Sequence, residues 1–186
     1  MKRLIAIACV LLLLTGCSQV KAELDRAMTL RAKLLAAQGV SFDARITADY
    51  GDKTYTFAMA CRGDAQGNLT FSVVEPESIS GITGKLSSDG GVLTFDRTAL
   101  EFGLLAEEQL SPVSAPWILL NALRSGNITS ACREEAGIRL SVSDGYEEDA
   151  LILDIWLDKG NLPVRGDVLQ EGRRILSLDV RNFVIM

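Results

Sequence analysis

Residues 114–126 read SAPWILLNALRSG, a short stretch that is apolar almost throughout. Ser114 can cap a helix at its start, Pro116 is tolerated in a first helical turn, and Gly126 is suited to end the helix. Because apolar residues lie on nearly every side of such a helix, it must be buried on more than one side. Two interpretations remain open: a core helix packed on a sheet, or a lid over an apolar cavity.

The chain on both sides of this helix alternates apolar and polar residues with a period of two, the pattern of half-buried strands. Gly, Asp and Asn residues between these segments are turn formers, so the pattern predicts an antiparallel meander of about ten strands. No alternation of strands with helices, which would indicate a parallel sheet, is visible. The predicted strands cover 40–48, 55–59, 69–73, 82–87, 92–97, 127–133, 137–143, 150–158, 162–169 and 173–185.

One longer helix is predicted before the meander, over residues 19–38. Apolar residues recur near helical spacing and charged residues fill the other side. The apolar stripe consists of Val20, Leu24, Met28 and Leu35, widened by Ala27, Leu34 and Ala37. Gly39 is a natural residue for the end of that helix. The fold class is therefore α+β and mainly β, with an N-terminal helix and an inserted apolar helix.

The first residues of the chain indicate where the protein is located in the cell. Lys2 and Arg3 are followed by the apolar run 4–14 and by Leu-Thr-Gly-Cys at 14–17. A basic start and a short apolar run are typical of a secretory signal peptide. An ordinary signal peptide and a transmembrane helix are the alternatives, but the run is short for a membrane span.

The tetrapeptide that closes this segment resembles a bacterial lipobox. The resemblance implies cleavage before Cys17, which leaves residues 1–16 as the signal peptide, and a diacylglycerol with palmitate-like acyl chains on the Cys17 thiol. Two or more acyl chains give stable anchoring. The expected location is the extracytoplasmic face of the cell membrane.

Composition excludes several classes of function. The formal net charge of −5 argues against nucleic acid as a partner. The chain contains no histidine, which removes the commonest general base and metal ligand. We therefore expect neither an enzyme, nor a metal site, nor a cofactor.

Two cysteines remain in the expected mature chain besides the anchor, Cys61 and Cys132. A pair of cysteines in a secreted domain favours one disulfide bond. The alternative is two separate buried thiols, which behave as small apolar residues.

Three stretches, together with the order of elements, resemble the LolA/LolB-like superfamily of bacterial lipoproteins: residues 71–82, 116–123 and 178–183. The resemblance implies one domain over residues 17–186. It would form an unclosed, curved antiparallel half-barrel with helices on its concave side and an acyl chain held there. The residues expected to line that space are Phe57, Met59, Phe71, Val73, Trp117, Leu119, Leu120 and Leu123.

Two functions follow from this resemblance. The first is a membrane-anchored envelope lipoprotein that binds a lipid or an acylated ligand in an apolar concave cavity. The second is a scaffold that binds and regulates an envelope or cell-wall enzyme, as the spore-germination lipoproteins of clostridia do.

Overall fold

The computed structural model describes residues 21–103, 105–106, 109–145 and 150–186. Helix α1 covers 21–36 and helix α2 covers Ala115–Ser125. The strands described are β1 Gly39–Asp49, β2 Thr54–Asp64, β3 Leu69–Glu75, β4 Thr83–Ser87, β5 Gly90–Phe95, β6 Thr98–Phe102, β7 Leu105–Ala106, β8 Gln109–Leu110, β9 Asn127–Glu134, β10 Gly137–Ser143, β11 Ile152–Leu157, β12 Pro163–Gln170 and β13 Arg173–Ile185. Short 3₁₀ turns occupy Glu77–Ile79 and Pro112–Ser114.

Eleven strands form one antiparallel sheet in the order β6-β5-β4-β3-β2-β1-β13-β12-β11-β10-β9, and β7 pairs with β8 separately. The first and last strands of the chain therefore pair at the middle of the sheet. The strands β6 and β9 lie at its two ends and do not pair with each other. The curved, unclosed, mainly-β fold predicted from the sequence is confirmed.

One face of the sheet is apolar and the other is polar, as the period of two predicted. On β1, Phe42, Ala44 and Ile46 are buried, whereas Asp43 and Arg45 are exposed. The buried face, which we call the concave face, carries both helices, and its side chains form one apolar cluster with those of α1 and α2. The core therefore lies between the sheet and the two helices.

The hairpin of β5 and β6 differs from the prediction, which placed a single strand near 92–97. Strand β5 ends at Phe95, and the two-residue turn Asp96-Arg97 reverses the chain into β6. Both turn residues have positive φ, 45° and 66°. Such a turn usually reads Asn-Gly, Asp-Gly or Gly-Gly, and here Arg97 stands at the position where Gly is usual. The sequence therefore gave no recognisable signal for β6.

Helix α2 ends where the sequence predicted, because the N–H of Gly126 donates to the carbonyl of Ala122 at 3.0 Å. Its start differs in detail. Ser114 holds the N-cap position, but its side chain makes no capping hydrogen bond, and its backbone N–H donates to Ser111 O within the preceding 3₁₀ turn. The 3₁₀ turn places Ser114 in a helical conformation, with φ −77° and ψ −18°, rather than in the extended conformation of a capping residue.

The predicted disulfide bond between Cys61 and Cys132 is wrong. Both thiols are free; Cys61 is buried and Cys132 is exposed. Cys61 lies on β2 and Cys132 on β9, and five strands stand between β2 and β9 in the sheet. Ala131, the neighbour of Cys132, is buried, so alternation along β9 turns the Cys132 side chain outward. A disulfide needs Cβ atoms about 4 Å apart and facing each other.

Within the described part of the chain, no helix has the length and apolar character needed to cross a membrane. The predicted signal peptide 1–16 and the predicted anchor Cys17 lie outside the described residues.

Candidate functional site

Helix α2 lies on the concave face and contacts strands on both sides of the sheet centre. A Cβ atom added at Gly63 on β2 would stand 2.6 Å from Leu120 Cδ2, and one added at Gly166 on β12 would stand 3.1 Å from Leu119 Cδ1. Consecutive helical residues point about 100° apart, so the two leucines face different strands. The two glycines allow the helix to come close to β2 and β12 at the same time.

The turn between β2 and β3 holds one side of α2 through its backbone carbonyls. Trp117 Nε1 donates to Gly67 O at 2.9 Å. The Arg124 guanidinium donates to Asp64 O at 2.9 Å and to Ala65 O at 2.6 Å. These contacts lie at both ends of the helix, so they fix its direction along the sheet.

Asp64 orders that same turn. Its carboxylate accepts the backbone N–H of Asn68 at 2.9 Å and the Asn68 side-chain amide at 2.8 Å. Burial alone would raise the pKa of Asp64, but the hydrogen bonds from Asn68 and Gln66 and the nearby charge of Lys85 together bring the pKa below its usual range. The turn therefore presents its carbonyls to α2 from a fixed conformation.

Arg31 of α1 holds the C-terminal end of α2. Its guanidinium donates to the carbonyls of Leu123 at 3.0 Å, Ala122 at 3.3 Å and Gly126 at 2.6 Å. The carbonyls at the end of a helix carry its negative dipole end, and those that follow Ala122 lack the usual helical partner, so a cation is favourable there. Burial lowers the pKa of Arg31, but an arginine side chain stays protonated in proteins.

The structure places all of the residues predicted to line a ligand cavity in the packed core. The helix residues among them, Trp117, Leu119, Leu120 and Leu123, are at most 9% exposed and belong to the one apolar cluster between the sheet and the helices. This favours the core interpretation of α2 over the lid, and the ligand-lining role remains a prediction. The residues buried there are Phe57, Met59, Phe71, Val73, Trp117, Leu119, Leu120 and Leu123.

The concave face continues past the helices as an apolar surface that the sequence did not reveal. One row of paired positions runs across the sheet through Phe42, Cys61, Phe71, Gly84, Leu93 and Leu100. Directly opposed residues share a face, so all of them belong to the concave side. Burial falls along the row, from Phe71 with 4% exposure to Leu100 with 62%.

Two more aromatic residues extend this surface. Phe95 follows Leu93 by two positions on β5 and is 56% exposed. The Phe102 ring packs directly against Gly91: its Cζ atom lies 2.5 Å from the position that a Cβ atom on Gly91 would occupy. Phe102 is half-buried. We call Leu93, Phe95, Leu100 and Phe102 the open apolar strip. Because β6 gave no signal in the sequence, half of the strip could not be recognised there.

The described residues contain no group of three or more His, Cys, Asp or Glu side chains arranged to hold a metal ion. What the concave face offers chemically is apolar contact.

Comparisons with known proteins find similarity at the level of the fold. No protein-family model matches the sequence, and no curated protein matches it significantly. Among solved structures, a LolA superfamily protein from Nitrosomonas europaea shares 10% identity, with 86% of this chain and 93% of that chain covered and a TM-score of 0.46. The fold is similar to that of LolA-like proteins, as the sequence predicted.

Two further matches are lipoprotein structures. The lipoprotein LppX of Mycobacterium tuberculosis has 11% identity, coverage of 89% of this chain and 95% of that one, and a TM-score of 0.45. A chain in the Clostridioides difficile complex of the CwlD amidase with the GerS lipoprotein has 12% identity, coverage of 86% and 93%, and a TM-score of 0.43. Likeness at such identities concerns the course of the chain and not individual functional residues.

Proposed function

We propose that this protein is a membrane-anchored envelope lipoprotein that binds an acyl chain at the open end of its concave face. Residues 1–16 would be removed as a signal peptide, Cys17 would carry the lipid, and residues 17–186 would form the binding domain. The observation that carries the proposal is the open apolar strip, a surface of large apolar side chains, two exposed and two half-buried, that the protein's own helices do not cover completely.

The chemistry of the strip fits an acyl chain. Its residues are aliphatic or aromatic, and Phe71 continues it inward on the same row. Burial of one methylene group is worth about 0.8 kcal/mol, so about ten methylenes gain roughly 8 kcal/mol before the entropy cost of binding. A chain of that length has enough driving force for measurable affinity.

The residues predicted from the sequence as the cavity lining stand behind the strip in this proposal. Phe71 is the nearest of them, and Phe57, Met59 and Val73 follow deeper on the same face. A ligand would reach Trp117, Leu119, Leu120 or Leu123 only by displacing α2. The carbonyl contacts of Arg31 and Arg124 oppose such a displacement. We therefore place the bound chain along β4–β6 and not under α2.

A pair of variants tests this site. Leu100→Asp puts a charge on the strip, whereas Ala99→Asp puts the same charge on the other face of β6, and both positions are exposed. We expect Leu100→Asp to weaken binding of a fluorescent fatty acid at least tenfold, and Ala99→Asp to change it less than twofold. Thermal melts of both variants should stay near wild type.

Native cargo gives a second measurement. Protein purified without detergent is extracted with organic solvent and analysed by mass spectrometry, with the Leu100→Asp variant treated in parallel. A lipid recovered in stoichiometric amount from wild type alone supports the proposal. Equal affinities for the two variants, or an empty wild-type protein that fails to bind the probe, would contradict it.

One observation favours the scaffold as a second candidate function. The outer edge of β6 makes no strand pair among the described residues, so its backbone groups can accept a strand from a protein partner next to the apolar strip. Affinity capture from cells distinguishes the candidates. A stable, stoichiometric envelope enzyme whose capture is unaffected by added fatty acid favours the scaffold.

A further inference from the structure

Helix α1 carries two apolar stripes, and only one of them faces the core. Ala27, Leu30 and Leu34 are buried against the sheet and α2. Leu24, Met28 and Leu35 are exposed, at 39%, 47% and 57%. The spacing of four and seven residues places the exposed three on one line along the helix. We call these three residues the outer stripe.

The outer stripe belongs to a broader face that both helices build. At about 100° per residue, it lies roughly a quarter turn away from the buried stripe. Leu24 and Met28 line a shallow groove of about 380 Å³ together with Asn121 and Ser125 of α2. Ser143, Asp144 and Gly145 also line this groove, and among the described residues the three stripe side chains remain exposed.

The distance along the chain to the proposed anchor limits where this face can be. Only residues 18–20 separate Cys17 from the first described residue of α1. Four Cα steps of about 3.8 Å span at most about 15 Å. If Cys17 holds the membrane, the start of α1 cannot leave the membrane surface by more than this length. Lys21, exposed at that start, has a side chain suited to the lipid headgroup region.

We propose that α1 lies along the membrane surface with its outer stripe in the boundary between headgroups and acyl chains. This inference rests on the proposed lipid anchor at Cys17. Leu24 and Leu35 are eleven residues apart, about 17 Å along the helix, so both can reach the boundary only when the helix lies parallel to the surface. The acidic net charge of −5 supplies no long-range attraction of the whole chain to anionic lipid that would account for the docking. Apolar insertion next to a covalent anchor does account for it.

A fluorescent label that reports lipid contact tests the placement. In a Cys132→Ser background, NBD is attached to Met28→Cys or Leu35→Cys in the stripe, and to Ala22→Cys or Thr29→Cys as exposed controls about 100° or more around the helix. The lipidated chain is reconstituted in phosphatidylcholine–phosphatidylglycerol vesicles, with or without spin-labelled lipid. We expect at least twofold stronger quenching by the lipid quencher at positions 28 and 35 than at 22 and 29.

A second experiment compares glutamates placed on the outer stripe with glutamates placed elsewhere on α1. With the label at Leu24→Cys, the double variant Met28→Glu/Leu35→Glu should lose the lipid quenching, and the control Ala22→Glu/Thr29→Glu should retain it. Both pairs are exposed, so neither should unfold the domain.

The outcomes distinguish the proposed lipid anchor at Cys17 from the proposed docking of α1 on the membrane. Chains recovered with the vesicles but quenched equally at all positions overturn the docking of α1 and leave the anchor standing. Labels shielded from aqueous iodide but not quenched by lipid indicate a protein partner or a second copy, and also overturn it. Chains that stay in the supernatant overturn the anchor and the docking together.

Discussion

A single guanidinium joins the two helices. Arg31 donates to three carbonyls at the end of α2. In the sequence, Arg31 was one of several charged residues on the predicted polar side of α1. Its position gave no reason to distinguish it from Lys33, because the partner carbonyls lie about ninety residues away in the chain. Long-range partners of this kind depend on the packing of α1 against α2, which no local pattern shows.

The Arg31→Met variant should be destabilised by about 2–3 kcal/mol, because it leaves the C-terminal carbonyls of α2 without a charged donor. Urea unfolding followed by tryptophan fluorescence measures the change. The control Lys33→Met alters an exposed residue two positions along and should stay within about 0.5 kcal/mol of wild type. Equal midpoints for the two variants would show that Arg31 does not hold α2.

The two described cysteines should differ in reactivity. Burial raises the pKa of the Cys61 thiol well above its usual value, so it supplies almost no thiolate, whereas Cys132 is exposed. Iodoacetamide at pH 8 should modify Cys132 in the native protein and Cys61 only in urea. Peptide mapping without reduction reads out both sites. A peptide pair linked through Cys61 and Cys132 would refute the free thiols.

At the scale of elements, much of the fold could be predicted. The strands after α2 were placed within two residues of their observed bounds, and α2 itself was placed correctly, because Gly, Pro and alternation mark their ends. The hairpin of β5 and β6 was missed, since Arg97 takes the second position of a turn in which Gly is usual. The disulfide was wrong because cysteine count reveals neither the strand order nor the face of a strand.

Helix α2 is the element whose role the sequence left open. Leu120 is 2% exposed and lies against Gly63 on the concave face. We expect Leu120→Asp to cost about 4 kcal/mol or more and to collapse the thermal melt, because a charge without a partner would be buried. The control Asn121→Asp, on the exposed side of the same helix, should melt near wild type. A stable Leu120→Asp protein that merely lost a ligand would restore the lid interpretation.

At the scale of the molecule, the middle of the sheet and the end formed by β5 and β6 are covered unequally. Strands β1 and β13 pair on both sides and lie under the helices. At one end of the sheet, β5 and β6 carry mostly exposed residues. Period-two alternation indicates that a strand has an apolar face, but not whether a helix covers that face. The open apolar strip therefore became visible only in the assembled sheet.

This asymmetry predicts a gradient of local stability. Backbone amides of β5 and β6 should exchange with deuterium through local opening, at a free energy well below that of global unfolding, whereas those of β1 and β13 should require global unfolding. Native-state hydrogen exchange with mass spectrometry measures both.

If an acyl chain binds along β4–β6, a saturating fatty acid should slow exchange in β5 and β6 and leave β1 and β13 nearly unchanged, because the ligand stabilises the closed state of the hairpin that it contacts. In the Leu100→Asp variant the slowing should vanish. Protection that appeared instead along α2 would place the ligand under the helix and contradict the site proposed on the open apolar strip.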